Sequence, residues 1–488
     1  MIAFGGALWA PFHLDDFALF GDPSITNPEG WLACLAPTQT RPLTWLSYWA
    51  NYQLGGPRPA SFHAVNLLLH AGCVFLLYHA LGRILPRPAA LIAAALFALH
   101  PVQTEAVVYV FARATLLMTF FCLASLALWV AGRHWLAAAL FAPALLAKEE
   151  CAAFPLFLLL LHFSVSRNRR ELAPVGLMCV LSAAAGLRVL HVAAVTAGSG
   201  AGAQSGVPVT EYFLTQGVAI WRYARLLVIP YGLSPESASE IQRGITPLLA
   251  WVAILAAVAL CLRWFPNARP GLWAIAALVL IAPSSSIFPA ADLTADRRVY
   301  LPLAAASAAA GLLFHKRPGW MIAPAGVLAV LSFVQTSLWR DPRALWTRAA
   351  ELAPDKPRPL VQLARYVRPD EAIALLDRAG KLAPASPLAA SEKGRVWLER
   401  GEPGKALAEF GRALALTPGD PRAINNRGAA LVQLGQGEAA IEDFRRALTL
   451  DPCLFDARWN LMRLGQPYAA PYRCRYTREQ QAALDTLR

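Results

Sequence analysis

The chain has 488 residues, of which 57% are hydrophobic and 15% charged, with a net charge of +13 and a mean hydropathy of +0.43. Soluble domains carry nearer a quarter of charged residues, so this composition excludes an ordinary soluble protein of that length. Excess positive charge is also the mark of a nucleic-acid binder, but here Arg and Lys sit in short gaps between apolar runs rather than along one stripe, which excludes that partner.

In chain order, Met1 to Phe12 is apolar but too short to span, with no basic leader and no small-residue cleavage site. Residues 13–61 follow as a polar loop rich in Trp and Tyr, expected to lie along the membrane surface in short helices. Apolar segments then recur from about Phe62 to Gly82, Pro88 to His100, Ala112 to Ala131, Trp135 to Ala147, Ala152 to Val165 and Leu172 to Val195. Gly198 to Gly206 reads as a flexible loop, and Glu211 to Ile229, with Arg222 and Arg225 on one face, as a re-entrant or interfacial helix. Further spans are expected near Thr246 to Leu262, Leu272 to Ala282, Val299 to Phe314 and Trp320 to Thr336. The sum is an all-α, polytopic domain over residues 1–340 with about eleven crossings.

Basic residues occupy every second gap: Arg83 with Arg87, Arg133, Arg167 with Arg169 and Arg170, Arg263 with Arg269, and Lys316 with Arg317. By the positive-inside rule these gaps are cytoplasmic. The alternate gaps hold the carboxylates, including Asp15, Asp16, Glu105, Glu149, Glu150, Asp292 and Asp296, and face the other way.

After Trp339 the composition becomes polar, and residues 341–488 repeat with a shift of 34. Gly394 maps onto Gly428, Gly401 onto Gly435, Ala406 onto Ala440, Phe410 onto Phe444, Ala413 onto Ala447 and Pro418 onto Pro452. That order is the tetratricopeptide pattern. Ala372, Leu376, Ala379 and Pro384 supply the second helix of a shortened earlier repeat, and Arg458 to Leu464 reads as a capping helix. Such stacks present a curved surface that takes an extended peptide, or they act as spacers or dimerisation surfaces. Cys453 and Cys474 lie in this part, which the topology puts in an oxidising compartment, so the two can pair in a disulfide.

Three constellations carry chemistry. In "LDDFALFGDPSI", Asp15 and Asp16 are adjacent carboxylates at an apolar boundary, which suits a base or metal ligand as well as a solvated helix end. Arg41, in the same loop, suits either anchoring or anion binding. In "FALHPVQTEAVVYVFARATLL", Pro101 stops one helix and Thr104 is placed to cap the next, while His100, Glu105 and Arg113 reach the same face. Glu105 there also simply complements a helix N-terminus. Lys148, Glu149 and Glu150 close a turn in "LLAKEECAAFP". In "SSSIFPAADLTADRRVYLPLA", Asp296, Arg297 and Arg298 stand against the hydrocarbon boundary. Charges there need a partner or a ligand, and Arg offers phosphate a fork of parallel donors.

"DDFALFGDPSI", "RPLTWLSYWANYQLGG", "FHAVNLLLH", "HPVQTEAV", "LLAKEE" and "DRRVYLPLA", in this order and ahead of the repeats, resemble the transmembrane and tetratricopeptide repeat-containing glycosyltransferases of the GT-C superfamily. The resemblance covers nearly the whole chain. It implies an inverting enzyme, moving a mannose-like sugar from a polyprenyl-phosphate donor to Ser or Thr hydroxyls of translocated proteins, with the site and the repeats outside the cytoplasm. On that basis Asp15 or Asp16 is expected as base. Arg297, Arg298, Lys148 and Arg113 are expected on the donor phosphate, and His100, Glu105, Glu149, Arg41 and Asp296 around the acceptor or behind these groups. No cofactor or metal is expected. The chain departs from the family in its short first helix and in Arg298, where an aromatic residue is commoner. The rival readings are a non-catalytic membrane scaffold that recruits proteins through its repeats and, less well matched by charges confined to one face, a transporter.

Overall fold

A computed structural model describes residues 2–166, 169–195, 206–264, 269–285, 288–290, 292–469, 471, 474 and 476–487. The elements are helical throughout. By internal contacts the chain forms two compact units, one of residues 1–19 and 28–341, the other of residues 20–27 and 342–488. The short segment 20–27, which the sequence groups with the first loop, thus belongs with the repeats.

In the first unit, five helices are long and apolar enough to cross a membrane: Pro59–Leu81, Val110–Val130, Arg169–Val192, Thr246–Arg263 and Pro318–Leu338. A sixth is gained if Arg87–Leu99 and Pro101–Val108, bent by 50° at Pro101, count as one span. About eleven crossings were expected, so this is a correction among the described residues. Several apolar segments form helices too short to span alone: 13 residues in Arg87–Leu99, 14 in His134–Ala147, 8 in Phe154–Leu161 and 13 in Arg269–Ile281. At 1.5 Å per residue, 13 residues cover only about 20 Å of a roughly 30 Å hydrocarbon core. Apolar composition marks burial in the bundle as readily as burial in lipid.

The Val110–Val130 span is 67% buried within the protein, against 11% for Arg169–Val192, Thr246–Arg263 and Pro318–Leu338. It is therefore the central helix, and its Arg113–Val130 portion packs on Pro59–Leu81 and His134–Ala147. A second layer joins Arg87–Leu99 to Tyr300–Phe314, and Tyr300–Phe314 to Arg269–Ile281. Gly311 permits the first of these contacts, because a Cβ there would lie 2.3 Å from the carbonyl oxygen of Ala89. The segment expected to be re-entrant or interfacial is one continuous helix, Val209–Val228, packed on Thr246–Trp264. The Gly198 to Gly206 loop lies, but for Gly206, outside the described residues. Residues 13–61 contain short helical turns followed by the 14-residue helix Pro42–Gly55.

The second unit has the expected repeats. Helices Leu388–Glu399 and Pro403–Leu416 form one pair, and Pro421–Gln433 and Gly437–Leu450 the next. Pro357–Ala364 with Pro369–Leu382 is the shortened earlier pair, and Phe455–Arg463 the terminal helix. The repeat positions follow from close approach. A Cβ on Gly394 would meet the Phe410 ring at 2.7 Å, and one on Gly428 would meet Phe444 at 2.7 Å. Ala406, Ala413, Ala440 and Ala447 are fully buried between the helices. Gly401 and Gly435, at φ 73° and 74°, let the chain leave the first helix of each pair in the left-handed conformation. Cys453 and Cys474 form a disulfide.

Candidate active site

Leu14 has a φ of 46°, the one left-handed non-glycine residue among those described, and it turns the chain immediately before the acidic pair. Backbone held in that region costs about 1–3 kcal/mol and persists only where the surroundings enforce it. Here they do, because Asp16 is anchored. Its carboxylate is fully buried and accepts the amides of His13 at 3.0 Å and Phe111 at 2.8 Å. Burial, with the neighbouring charge of Asp15, pushes Asp16 up to about 7 against those two hydrogen bonds. His13 in turn contacts the Trp339 carbonyl through Nε2 at 2.7 Å. Asp15 points the other way and is exposed. Tyr109 donates its phenol proton to Asp15 Oδ2 at 2.8 Å and accepts the Asp15 amide at 3.2 Å. The pair is thus divided: Asp16 is buried and holds the turn, and Asp15 is exposed and held by Tyr109.

Four cations gather on the loops that follow. Arg41, the residue before the Pro42–Gly55 helix, binds Glu149 with two nitrogens, at 2.7 and 3.2 Å. Burial opposes the Glu149 charge, but the Arg41 guanidinium outweighs it and holds the carboxyl down to about 2. Glu149 raises Arg41 correspondingly. Lys148 pairs with Glu150 at 2.9 Å and donates to Thr115 Oγ1 at 3.0 Å, yet burial still lowers its pKa. Arg297 is held by Glu105, through both its side chain and its amide, and by Asp292 at 3.4 Å. Arg298 differs from the other three. It donates to the carbonyls of Asp292 at 2.7 Å and Leu293 at 3.1 Å and makes no carboxylate ion pair among the described residues. Arg41 and Lys148 both lie in the field of Arg297, Glu150 in that of Arg298, and Arg297 in that of Tyr109. The Arg41–Glu149 pair joins the loop at residue 41 to that at 148–150, and the Glu105–Arg297 pair joins residues 292–298 to the helix that ends just before Tyr109.

Two expected site residues are taken up by the fold. Arg113 is fully buried and donates to Asn66 Oδ1 at 2.8 Å, Asn51 Oδ1 at 2.7 Å and the carbonyls of Phe62 at 3.0 Å and Ser47 at 3.2 Å. Its guanidinium lies 4.8 Å from the Tyr48 ring centroid. Every nitrogen is engaged, so it is not available to a phosphate. His100 accepts the Val102 amide at 3.2 Å and contacts the Leu227 carbonyl at 3.2 Å, closing the Pro101 break. Thr104, expected as the cap there, instead donates to the Pro101 carbonyl at 2.8 Å and begins the Thr104–Val108 helix. Glu105 is committed to Arg297, and Asp296 to Arg222 at 2.7 Å. Tyr109 and Arg222 were missed by sequence reasoning. Tyr109, flanked by valines, reads as core, and no local spacing ties it to a residue 94 positions away. Among the described residues no group of three or more His, Cys, Asp or Glu is placed to hold a metal.

Val299, the residue after Arg298, lines an apolar groove of about 450 Å³. It is lined by Val299, Leu303 and Leu313 from the Tyr300–Phe314 side, Leu278 from the adjoining Arg269–Ile281 helix, and Tyr223 and Ile254 from Val209–Val228 and Thr246–Trp264. From Val299 to Leu313 the groove runs roughly 20 Å at helical rise.

The tetratricopeptide repeat family matches residues 367–421 and 421–452. The chain is 29% identical over 298 residues to a protein O-mannosyl-transferase of Caenorhabditis elegans, F38B6.6, covering 57% of this chain and 42% of that protein. It is 46% identical over 101 residues to protein O-mannosyl-transferase TMTC4 of Homo sapiens, covering 17% of this chain and 14% of that one. It is 40% identical over 85 residues to TMTC3 of Homo sapiens, covering 17% and 9%. The matches thus span less than half the length of these relatives. They carry the name that the motif order implied.

Proposed function

We propose that the chain moves mannose from a polyprenyl-phosphate donor to Ser or Thr hydroxyls of translocated proteins, with inversion at the anomeric carbon. One observation carries the reading: an exposed carboxylate, Asp15, is fixed by Tyr109, which follows the helix whose Glu105 holds Arg297, and the residue after Arg298, Val299, lines an open apolar groove. A lipid-linked sugar needs these three parts together. The groove takes the hydrocarbon tail, the cations take the phosphate, and the carboxylate takes the acceptor proton.

In the step, the acceptor oxygen attacks the anomeric carbon while its proton passes to Asp15. The bond from that carbon to the phosphate oxygen breaks, and the phosphate leaves with the electron pair. A hydroxyl attacks poorly without such a base, and developing phosphate charge is stabilised by preplaced donors. Arg298 is the first choice for that role, since Arg297, Arg41 and Lys148 are each already neutralised by a carboxylate. Those three widen the field and hold the loops. This assignment moves the donor contact one residue along from Arg297 and aligns it with the mouth of the groove at Val299.

In this reading the site and the repeats face away from the cytoplasm, where the repeats would gather acceptors. The test is transfer from polyprenyl-phosphate mannose to a Ser/Thr peptide by the purified protein. Asp15→Asn is expected to lose roughly 100- to 10,000-fold in rate. Activity within a few-fold of the parent would remove Asp15 as base, and no transfer by the parent itself would favour the scaffold reading.

A further inference from the structure

A second apolar cleft, of about 250 Å³, lies between the His134–Ala147 and Leu172–Val195 helices, away from the donor groove. Its walls are small or aliphatic, with Ala142 and Leu145 on one side and Ala185 and Val189 on the other. Arg188, Thr40 and Glu149 stand at its polar rim, Glu149 with its charge already met by Arg41. The Arg169–Val192 span is only 11% buried in the protein, and Leu187 and Leu190 are more than half exposed, so this side of the bundle meets lipid. An arginine on such a helix is costly unless it reaches the headgroup level or finds partners. Arg188 has half of what it needs. Its Nη2 donates to the carbonyls of Pro37, at 2.9 Å, and Gln39, which fixes its depth at the first loop. Its Nε and Nη1 have no partner among the described residues.

We infer that this cleft holds a bilayer diacyl phospholipid, with one acyl chain between Ala142 and Ala185 and the phosphate on a remaining donor of Arg188. With Nη2 spent on the two carbonyls, the phosphate takes one charge-assisted hydrogen bond from the guanidinium, and the same residue ties the lipid to the loop that ends at Arg41. The bound lipid therefore braces one wall of the candidate active site without taking part in transfer. Neither Arg188 nor Ala185 belongs to the cluster proposed for chemistry, so lipid retention and sugar transfer are separable readouts.

Native mass spectrometry of the full chain, delipidated and then offered dioleoyl phosphatidylglycerol or dioleoylglycerol, tests this. One phosphatidylglycerol per chain should be retained and the phosphate-free lipid should not. Arg188→Gln should cut retention at least tenfold, and Ala185→Leu, which fills the cleft without touching the charge, should do the same. Thermal unfolding of the lipid-free variants controls for folding, and Ala142→Leu replaces either variant that fails it. Equal retention of the two lipids, or undiminished retention by both variants, overturns the inference. So does displacement of the phospholipid by polyprenyl-phosphate mannose, which would make the cleft part of the donor site. Loss of transfer activity in the parent bears only on the proposed function.

Discussion

Tyr109 grips Asp15 twice, donating to its carboxylate at 2.8 Å and accepting its amide at 3.2 Å across 94 residues of sequence. The ring is 4% exposed and lies tilted against Trp339 at a centroid distance of 6.0 Å, so the phenol has little freedom. A carboxylate held this way keeps one oxygen committed and the other aimed.

Tyr109→Phe should therefore lower kcat with little change in donor or acceptor KM. A hydrogen bond to a charged group contributes about 1.5–3 kcal/mol, or roughly 10- to 100-fold. Steady-state kinetics on the variant check the split, and a rise in KM at constant kcat would make Tyr109 a binding residue instead.

Asp16 gives a pH signature. Its folded-state value of about 7 lies above the ordinary 3.8, so the folded protein binds more protons between those limits. Stability from this group is complete below about pH 4 and is lost as pH rises through about 7. Asp16→Asn should lower thermal stability at both pH 5 and pH 8 through its misfit to two amide donors, and should also flatten the decline between them. Melting curves of the two proteins at each pH decide, and parallel declines would show that Asp16 does not titrate there.

Two arginines that look equivalent in sequence should separate. Arg298→Ala is expected to raise donor KM or abolish donor binding while leaving the fold intact. Arg113→Ala should instead destabilise, by roughly 2–4 kcal/mol, because it strands Asn51, Asn66 and two carbonyls in the bundle. Donor affinity and unfolding temperature, measured on both variants, distinguish the roles.

In the repeats, Gly428→Ala places a methyl 2.7 Å from the Phe444 ring. Overpacking of this kind costs about 1–3 kcal/mol, and proteolysis of the full chain should then begin between Pro421 and Leu450. Deleting residues 387–488 should abolish glycosylation of whole acceptor proteins while sparing donor binding. Unchanged glycosylation would remove the recruiting role.

The repeats were legible because each pair of helices is built from neighbours in sequence, so Gly, Phe and Ala recur at one period wherever the helices touch. The membrane unit was legible in class but not in detail. Pro88 to His100 is as apolar as a span, yet Pro101 ends it after 13 residues, and only packing against Tyr300–Phe314 shows where it lies. The acidic pair was visible, but the choice between its members depends on the Phe111 amide, 95 positions from Asp16. Likewise Arg113 and Arg298 carry the same charge, and only their partners reveal which one is spent.

The meeting of Gly311 with the Ala89 carbonyl bears on how the groove admits its ligand. Backbone lies against backbone there, and Glu105 clasps Arg297 at the start of the same helix, so the helices on that side form one stiff plate. Across the groove, Gly217 seats the Trp251 ring so closely that a Cβ would lie 2.8 Å from it, which stiffens Val209–Val228 against Thr246–Trp264 in the same way. If the groove takes a lipid chain as proposed, the stiffness of both walls leaves the seam where Thr246–Trp264 meets Arg269–Ile281 as the place expected to yield.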